Sequence, residues 1–152
     1  MLARYEVDLP VVPGAVQAVR GLAEAGFRLA LASSSNRELI DTVLRELGLT
    51  ELFEVTVSSE EVARGKPAPD VYVEAAARLG VDPARCLAVE DSASGIRSAH
   101  AAGMRVIAYP NRHYPPADDA LALAAATVTS VADLGPGLVA VVGHQPSAPA
   151  GT

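Results

Sequence analysis

The sequence predicts a doubly wound α/β domain, a mostly parallel sheet with helices on both faces. Three observations point to it. The runs 28–32, 53–57, 86–89 and 104–108 are rich in apolar residues, and 29–32 and 86–89 are continuous rather than alternating, as strands covered on both faces are. Between them lie segments whose apolar residues recur at helical spacing and stop at a glycine. Polar clusters follow directly after three of the runs, and sheets of this kind bind ligands outside the carboxyl ends of their strands.

The elements follow in order. After Pro13-Gly14, the residues Val16, Val19, Leu22 and Ala23 are spaced for a helix lying on a core, closed by Gly26. The run 28–32 is a buried strand. Ser35 or Asn36 caps a second helix, whose apolar positions Leu39, Ile40, Val43, Leu44 and Leu47 continue to Gly48. A strand over 53–57 comes next. Pro67 and Pro69 break the chain before a helix over 71–79 that Gly80 ends. A strand over 86–89, a helix over 94–102 stopped by Gly103 and a strand over 104–108 complete the alternation. A loop over 109–119 leads to a short helix at 121–125 and a short edge strand at 127–129.

Composition narrows the function classes. At 152 residues the chain is about one domain long, and half of it is hydrophobic, which excludes disorder of the whole. The formal charge of -6 and the pI near 5.0 argue against a nucleic-acid partner. No apolar stretch approaches the ~20 residues a bilayer requires, and the first six residues carry no signal-peptide core, so the expectation is a cytoplasmic protein with no membrane partner. The single Cys86, at the start of a strand, reads as a buried thiol. With no Trp, the core must be built from Ala, Val and Leu, which suits close helix-on-sheet packing.

Three motifs carry the chemistry. Ser33-Ser34-Ser35-Asn36 follows the first strand; such residues are helix caps, yet three hydroxyls exceed what a cap requires. A helix N-terminus offers free N–H groups to a phosphoryl group, and in the functional reading Ser33 and the Ser34 backbone hold its oxygens while Ser35 and Asn36 face substrate. Lys66 lies between Gly65 and Pro67, stiff neighbours that fix its place; it is either a solvated lysine or a point charge for a developing anion. Glu90-Asp91 ends the strand 86–89. Adjacent carboxylates at a buried strand end repel one another and need donors or a cation, and hard oxygen ligands beside a phosphate suit Mg²⁺. Helix capping by Asp91 is the plain alternative. His100, His113 and His144 lack metal-ligand spacing, and Glu60, Glu61, Asp118 and Asp119 read as capping or solvated groups.

In this order, 30–36 with Ser33-Ser34-Ser35-Asn36, 65–70 with Gly65-Lys66-Pro67-Ala68-Pro69-Asp70, and 89–96 with Val89-Glu90-Asp91-Ser92 and Gly95-Ile96 closely resemble the second, third and fourth motifs of the haloacid dehalogenase-like superfamily. The subgroup most similar is that of β-phosphoglucomutase and phosphoglycolate phosphatase. The resemblance spans about 13–134. It implies attack by an aspartate on a small phosphate ester, giving an aspartyl-phosphate that passes to water or a second hydroxyl, with Mg²⁺ in support. It implies that Ser33 binds the transferring group, Lys66 stabilises it and the nucleophile, and Glu90 and Asp91 hold Mg²⁺ directly or through water.

Members of that superfamily carry Asp-x-Asp-Gly-Thr after a first strand, then a helical cap domain, both upstream of the segment matched here. Asp8 is followed by Leu9-Pro10 and offers neither the second aspartate nor the glycine turn. The expected organisation is a cap-to-core linker remnant over 1–12, a core domain over 13–134 and a C-terminal segment with a loose tail over 135–152. The upstream segment also supplies the family's central strand, between the strands ending at Ser33 and Glu90. A slot is expected there, closed by direct pairing of its neighbours, by 138–142, or by a second copy or a complementing chain. Two functions stay open: a Mg²⁺-dependent phosphohydrolase or phosphomutase domain acting on a small phosphorylated metabolite, and a non-catalytic phosphate- or metal-binding or protein-interaction module of the same fold. Substitutions of Lys66 or Asp91 are expected to spare the fold, since strand ends lie outside the core.

Overall fold

A computed structural model describes residues 14–109, 115–130 and 133–138. The helices are α1 (Ala15–Glu24), α2 (Arg37–Leu47), α3 (Asp70–Leu79), α4 (Ala93–Ala101) and α5 (Asp118–Leu121); the strands are β1 (Ala30–Ser33), β2 (Val55–Ser58), β3 (Leu87–Glu90), β4 (Arg105–Ala108) and β5 (Ala126–Thr127). Among the described residues all pairing is parallel: β1 runs beside β2 with Ala30 opposite Val55, β3 beside β4 with Leu87 opposite Arg105, and β4 beside β5 with Ile107 opposite Ala126. The α/β class expected from the sequence is the one observed.

Strand alternation divides the interior into two cores. Leu31 and Ile107 face one layer with Ala15 and Val19 of α1 and Ile40 and Leu44 of α2. Their neighbours Ala32, Val106 and Ala108 face the other, with Val71, Ala75 and Ala76 of α3 and Ile96 and Ala99 of α4. The second layer is rich in alanine, which lets α3 and α4 approach the strands closely. Local chemistry sets the helix ends. The Asn36 side chain accepts from Leu39 N at 2.8 Å to start α2, and Gly48 and Gly80, both at φ 70, adopt the left-handed turn that ends α2 and α3.

The strands form two ladders, β1 with β2 and β3 with β4 and β5. Among the described residues no strand joins β1 to β3, so direct pairing of these neighbours does not close the slot. Of the other expected closures, 138–142 lies outside the described residues except for Leu138, which packs on the first core. The expected linker over 1–12 and tail over 143–152 also lie outside them. The strands β1, β2 and β3 begin one or two residues later, and end one residue later, than the runs 28–32, 53–57 and 86–89, and two short elements near the end also differ from expectation. The short helix forms over 118–121 rather than 121–125, because Asp118 and Asp119 place negative charge in its first turn. The last strand is Ala126–Thr127, one residue early, because Ala108, its partner, ends β4. Three 3₁₀ turns, Thr50–Leu52, Ser59–Glu61 and Pro83–Arg85, are too short to leave a periodic signal. Among the described residues no helix is long and apolar enough to cross a membrane.

Candidate active site

The end of β1 is a braced loop. Ser33 is buried, and its Oγ accepts from Ser35 N at 3.1 Å. The hydroxyls of Ser58 and Ser59 at the end of β2 donate to the carbonyls of Ser35 and Ser34, at 2.5 and 2.8 Å. Ser35 is buried, whereas Ser34 and Asn36 are exposed. Asn36 caps α2, so the capping reading of that residue is realised; Ser33 and Ser35 sit in the interior, where no cap requires them.

Lys66 crosses from the β1 end to the β3 end. Its Nζ donates to Ala32 O at 3.2 Å and to Glu90 Oε1 at 2.6 Å, and both side chains are almost wholly buried, 4% and 1% exposed. The same Glu90 oxygen accepts a short hydrogen bond from Tyr72 Oη, and Lys66 Nζ stands 5.2 Å from the centre of the Tyr72 ring. Lys66 is therefore not a solvated lysine, and the strand-end motifs are not outside the packed interior, contrary to expectation. Burial opposes ionisation of Glu90, while the Lys66 ammonium and the hydrogen bonds from Lys66 and Tyr72 favour it. Burial, and then the Glu90 charge and its hydrogen bond, push the Tyr72 phenol well above its usual value, so it stays protonated and donates.

Gly95, in the first turn of α4, gives Glu90 its room. A β-carbon built there would lie 2.7 Å from Oε1 and nearer still to Oε2, inside any real contact. Ser92, not Asp91, caps α4, its Oγ accepting from Gly95 N at 3.1 Å. Asp91 is thus released from the capping role, and it is buried next to Glu90. The Lys66–Pro67 peptide is cis, and Ser98 Oγ on α4 donates to Ala68 O at 2.6 Å, tying the lysine loop to the helix that follows Glu90.

A hard divalent cation fits this donor set in part. Glu90 and Asp91 are consecutive carboxylates, the ligand type Mg²⁺ takes, and Glu90 Oε1 already accepts from Lys66 and Tyr72. Among the described residues no three His, Cys, Asp or Glu side chains group as a metal cage. Oxygens from substrate and water would have to complete the shell, as is common for Mg²⁺.

The remaining polar residues are structural. Glu61 forms a capping box with Ser58 and pairs with Arg37 and Arg78, Asp119 pairs with Arg97, and His100 is exposed on α4. Cys86 is only half-buried, its Sγ 3.6 Å from Asp82 O, because it ends a 3₁₀ turn one residue before β3 begins. Asp8, His113 and His144 lie outside the described residues. Sequence reasoning missed Tyr72 and Ser98. The one signal for Tyr72 was a hydroxyl-bearing aromatic on the apolar face of α3 beside Val71, Ala75 and Ala76; Ser98 gave no signal.

Comparison with known proteins places this geometry. The pattern of the haloacid dehalogenase-like hydrolases matches residues 2–103. Hexitol phosphatase B of Escherichia coli (strain K12) is 38% identical over 109 residues, which cover 72% of this chain and 49% of that protein. The crystal structure of CbbY from Rhodobacter sphaeroides in complex with phosphate superposes with a TM-score of 0.71 at 35% identity, covering 82% of this chain and 56% of that one. A hydrolase of the same superfamily from Deinococcus radiodurans R1, solved with bound phosphate and sodium, gives 0.74 at 37% identity, covering 90% and 62%. The chain spans about half the length of such relatives. With the motif order and the parallel α/β architecture, these matches establish that the chain belongs to the haloacid dehalogenase-like hydrolase family.

Proposed function

We propose that this chain carries the phosphate- and cation-holding part of a phosphohydrolase or phosphomutase acting on small phosphate esters. The observation that carries the reading is Lys66, a buried cation held between the end of β1 and the carboxylate that ends β3. A point charge there offsets negative charge that develops on a transferring phosphoryl group. The relatives solved with phosphate support the same reading.

In this proposal Ser33 and the Ser34 backbone bind the phosphoryl oxygens, Ser35 and Asn36 line the substrate side, and Lys66 neutralises charge on the phosphoryl group and its nucleophile. Glu90 and Asp91 would hold Mg²⁺ directly or through water, and the bound cation would supply electrostatic stabilisation of the phosphoryl oxygens. The described residues hold no Asp-x-Asp-Gly-Thr segment. The proposal assigns the nucleophilic aspartate to a segment that fills the slot between β1 and β3, from this chain, a second copy or a complementing chain.

A second reading, a binding module without turnover, is favoured by one observation: Glu90 and Asp91 are the acidic pair at the site, and Glu90 is already committed to Lys66 and Tyr72. Mg²⁺-dependent hydrolysis of p-nitrophenyl phosphate separates the two. Turnover lost in both Lys66→Ala and Asp91→Asn supports the enzyme. Phosphate binding without turnover, by the chain alone and with an added segment that carries the aspartate, supports the module, and neither binding nor turnover sinks both.

A further inference from the structure

We propose that Tyr72 is a positioning residue: its hydroxyl, acting with the space left by Gly95, fixes the Glu90 carboxylate and through it the Lys66 ammonium that faces the phosphoryl group. The proposal rests on the reading of Lys66 as a phosphate-site cation, and nothing in the motif pattern assigns Tyr72 a part.

A lysine ammonium is a point charge on a flexible four-carbon stem, so burial alone does not aim it. Two of its three donors have fixed partners here, Ala32 O at 3.2 Å and Glu90 Oε1 at 2.6 Å, and the third remains for a ligand oxygen. Ala32 O belongs to β1 and cannot move independently of the sheet. Glu90 can, because its side chain has three rotatable bonds, so the aim of Lys66 is only as good as the hold on Glu90.

Three restraints supply that hold. Tyr72 Oη donates to the same Oε1 that Lys66 uses, so one oxygen receives two donors from different directions. The Tyr72 ring is itself buried on α3 and flanks Lys66 Nζ at 5.2 Å, touching both members of the pair. The carboxylate also lies against Gly95, where any side chain would occupy its place. Tyr72→Phe keeps the ring and removes only the donor. Partners that orient a metal-ligating side chain typically change affinity or activity by 10–100-fold when removed, and Tyr72 holds Glu90 in a comparable indirect way, so about a tenfold loss is expected.

The test has two readouts. In ¹⁵N-labelled protein the Lys66 ammonium, buried and hydrogen-bonded, should give a resolved signal, and the Tyr72 hydroxyl proton a slowly exchanging downfield one. In Tyr72→Phe, with the amide spectrum otherwise retained, the Lys66 signal should broaden or vanish, and calorimetric affinity for inorganic phosphate with Mg²⁺ should fall about tenfold. An unchanged Lys66 signal in Tyr72→Phe overturns the proposal, and so does unchanged phosphate affinity when Lys66→Ala abolishes binding. Absence of the hydroxyl signal from the unsubstituted protein overturns it even if Tyr72→Phe does not fold. Phosphate affinity indifferent to Lys66→Ala instead overturns the phosphate-site reading, and the proposal with it.

Discussion

Lys66 Nζ and Glu90 Oε1 form a buried ion pair at 2.6 Å, and the lysine carries it across from the end of β1 to the end of β3. Two chains of pairing that share no hydrogen-bonded strand among the described residues are thus connected by one side chain. The pair sits in the interior, so its loss has structural as well as functional consequences.

Lys66→Ala leaves the Glu90 charge without its cation, and removing one member of a buried pair costs about 3–5 kcal/mol. Urea denaturation should show that loss, and Lys66→Met combined with Glu90→Gln should recover part of it, because no unpaired charge remains. If the single and double variants are equally destabilised, the pair is not what holds this region.

Gly95→Ala adds one methyl group where the Glu90 carboxylate lies. The expected destabilisation is about 1–3 kcal/mol, the usual cost of overpacking. Gly95→Ala in a Glu90→Ala background should cost much less, since the obstructing carboxylate is gone. Additive melting shifts in the two variants would show that the glycine serves some other contact.

Acid stability should depend on Glu61. Ser58 N–H donates to its carboxylate at 2.7 Å, burial opposes its charge, and Arg37 at 2.6 Å and Arg78 at 3.3 Å favour it; the net effect lowers its pKa below 4.5. A lowered folded-state value means stability that is fully present above the unfolded value and lost as pH falls through the folded one. Glu61→Gln should therefore lose stability at neutral pH and show a shallower decline below about pH 5. Parallel acid limbs for the two proteins would remove Glu61 from the account.

Asn36→Ala should destabilise by about 1 kcal/mol through loss of the α2 cap, and Asn36→Asp should retain most of the stability, since aspartate accepts the Leu39 N–H equally well. Thermal unfolding of both variants measures this. An alanine variant as stable as the parent would show that α2 needs no side-chain cap.

Much of the fold was legible in the chain because its signals are local. Val71, Tyr72, Ala75 and Ala76 recur at the helical period and are the buried face of α3, and Gly80 stops that helix where the left-handed turn occurs. The serine and acidic motifs stand at the ends of β1 and β3 and the lysine motif in the loop between β2 and α3, placements that depend only on neighbours in sequence. The short segments 118–121 and 126–127 were misplaced by one to a few residues, since their limits follow charge in a first turn and the length of β4.

The sequence by itself determined the α/β class, the helix stops and the order of the polar motifs along the chain, because hydrophobic period, glycine and capping residues act within a few positions. Only the tertiary structure decided what those residues touch. Lys66 meets Ala32 from 34 positions away and Glu90 from 24, and Tyr72 reaches Glu90 from 18. These distances are set by how α3 and α4 pack on the strands, and no local pattern records them. For the same reason Glu90 was readable as an acidic strand end but not as a carboxylate enclosed by a lysine, a tyrosine and a missing side chain at Gly95.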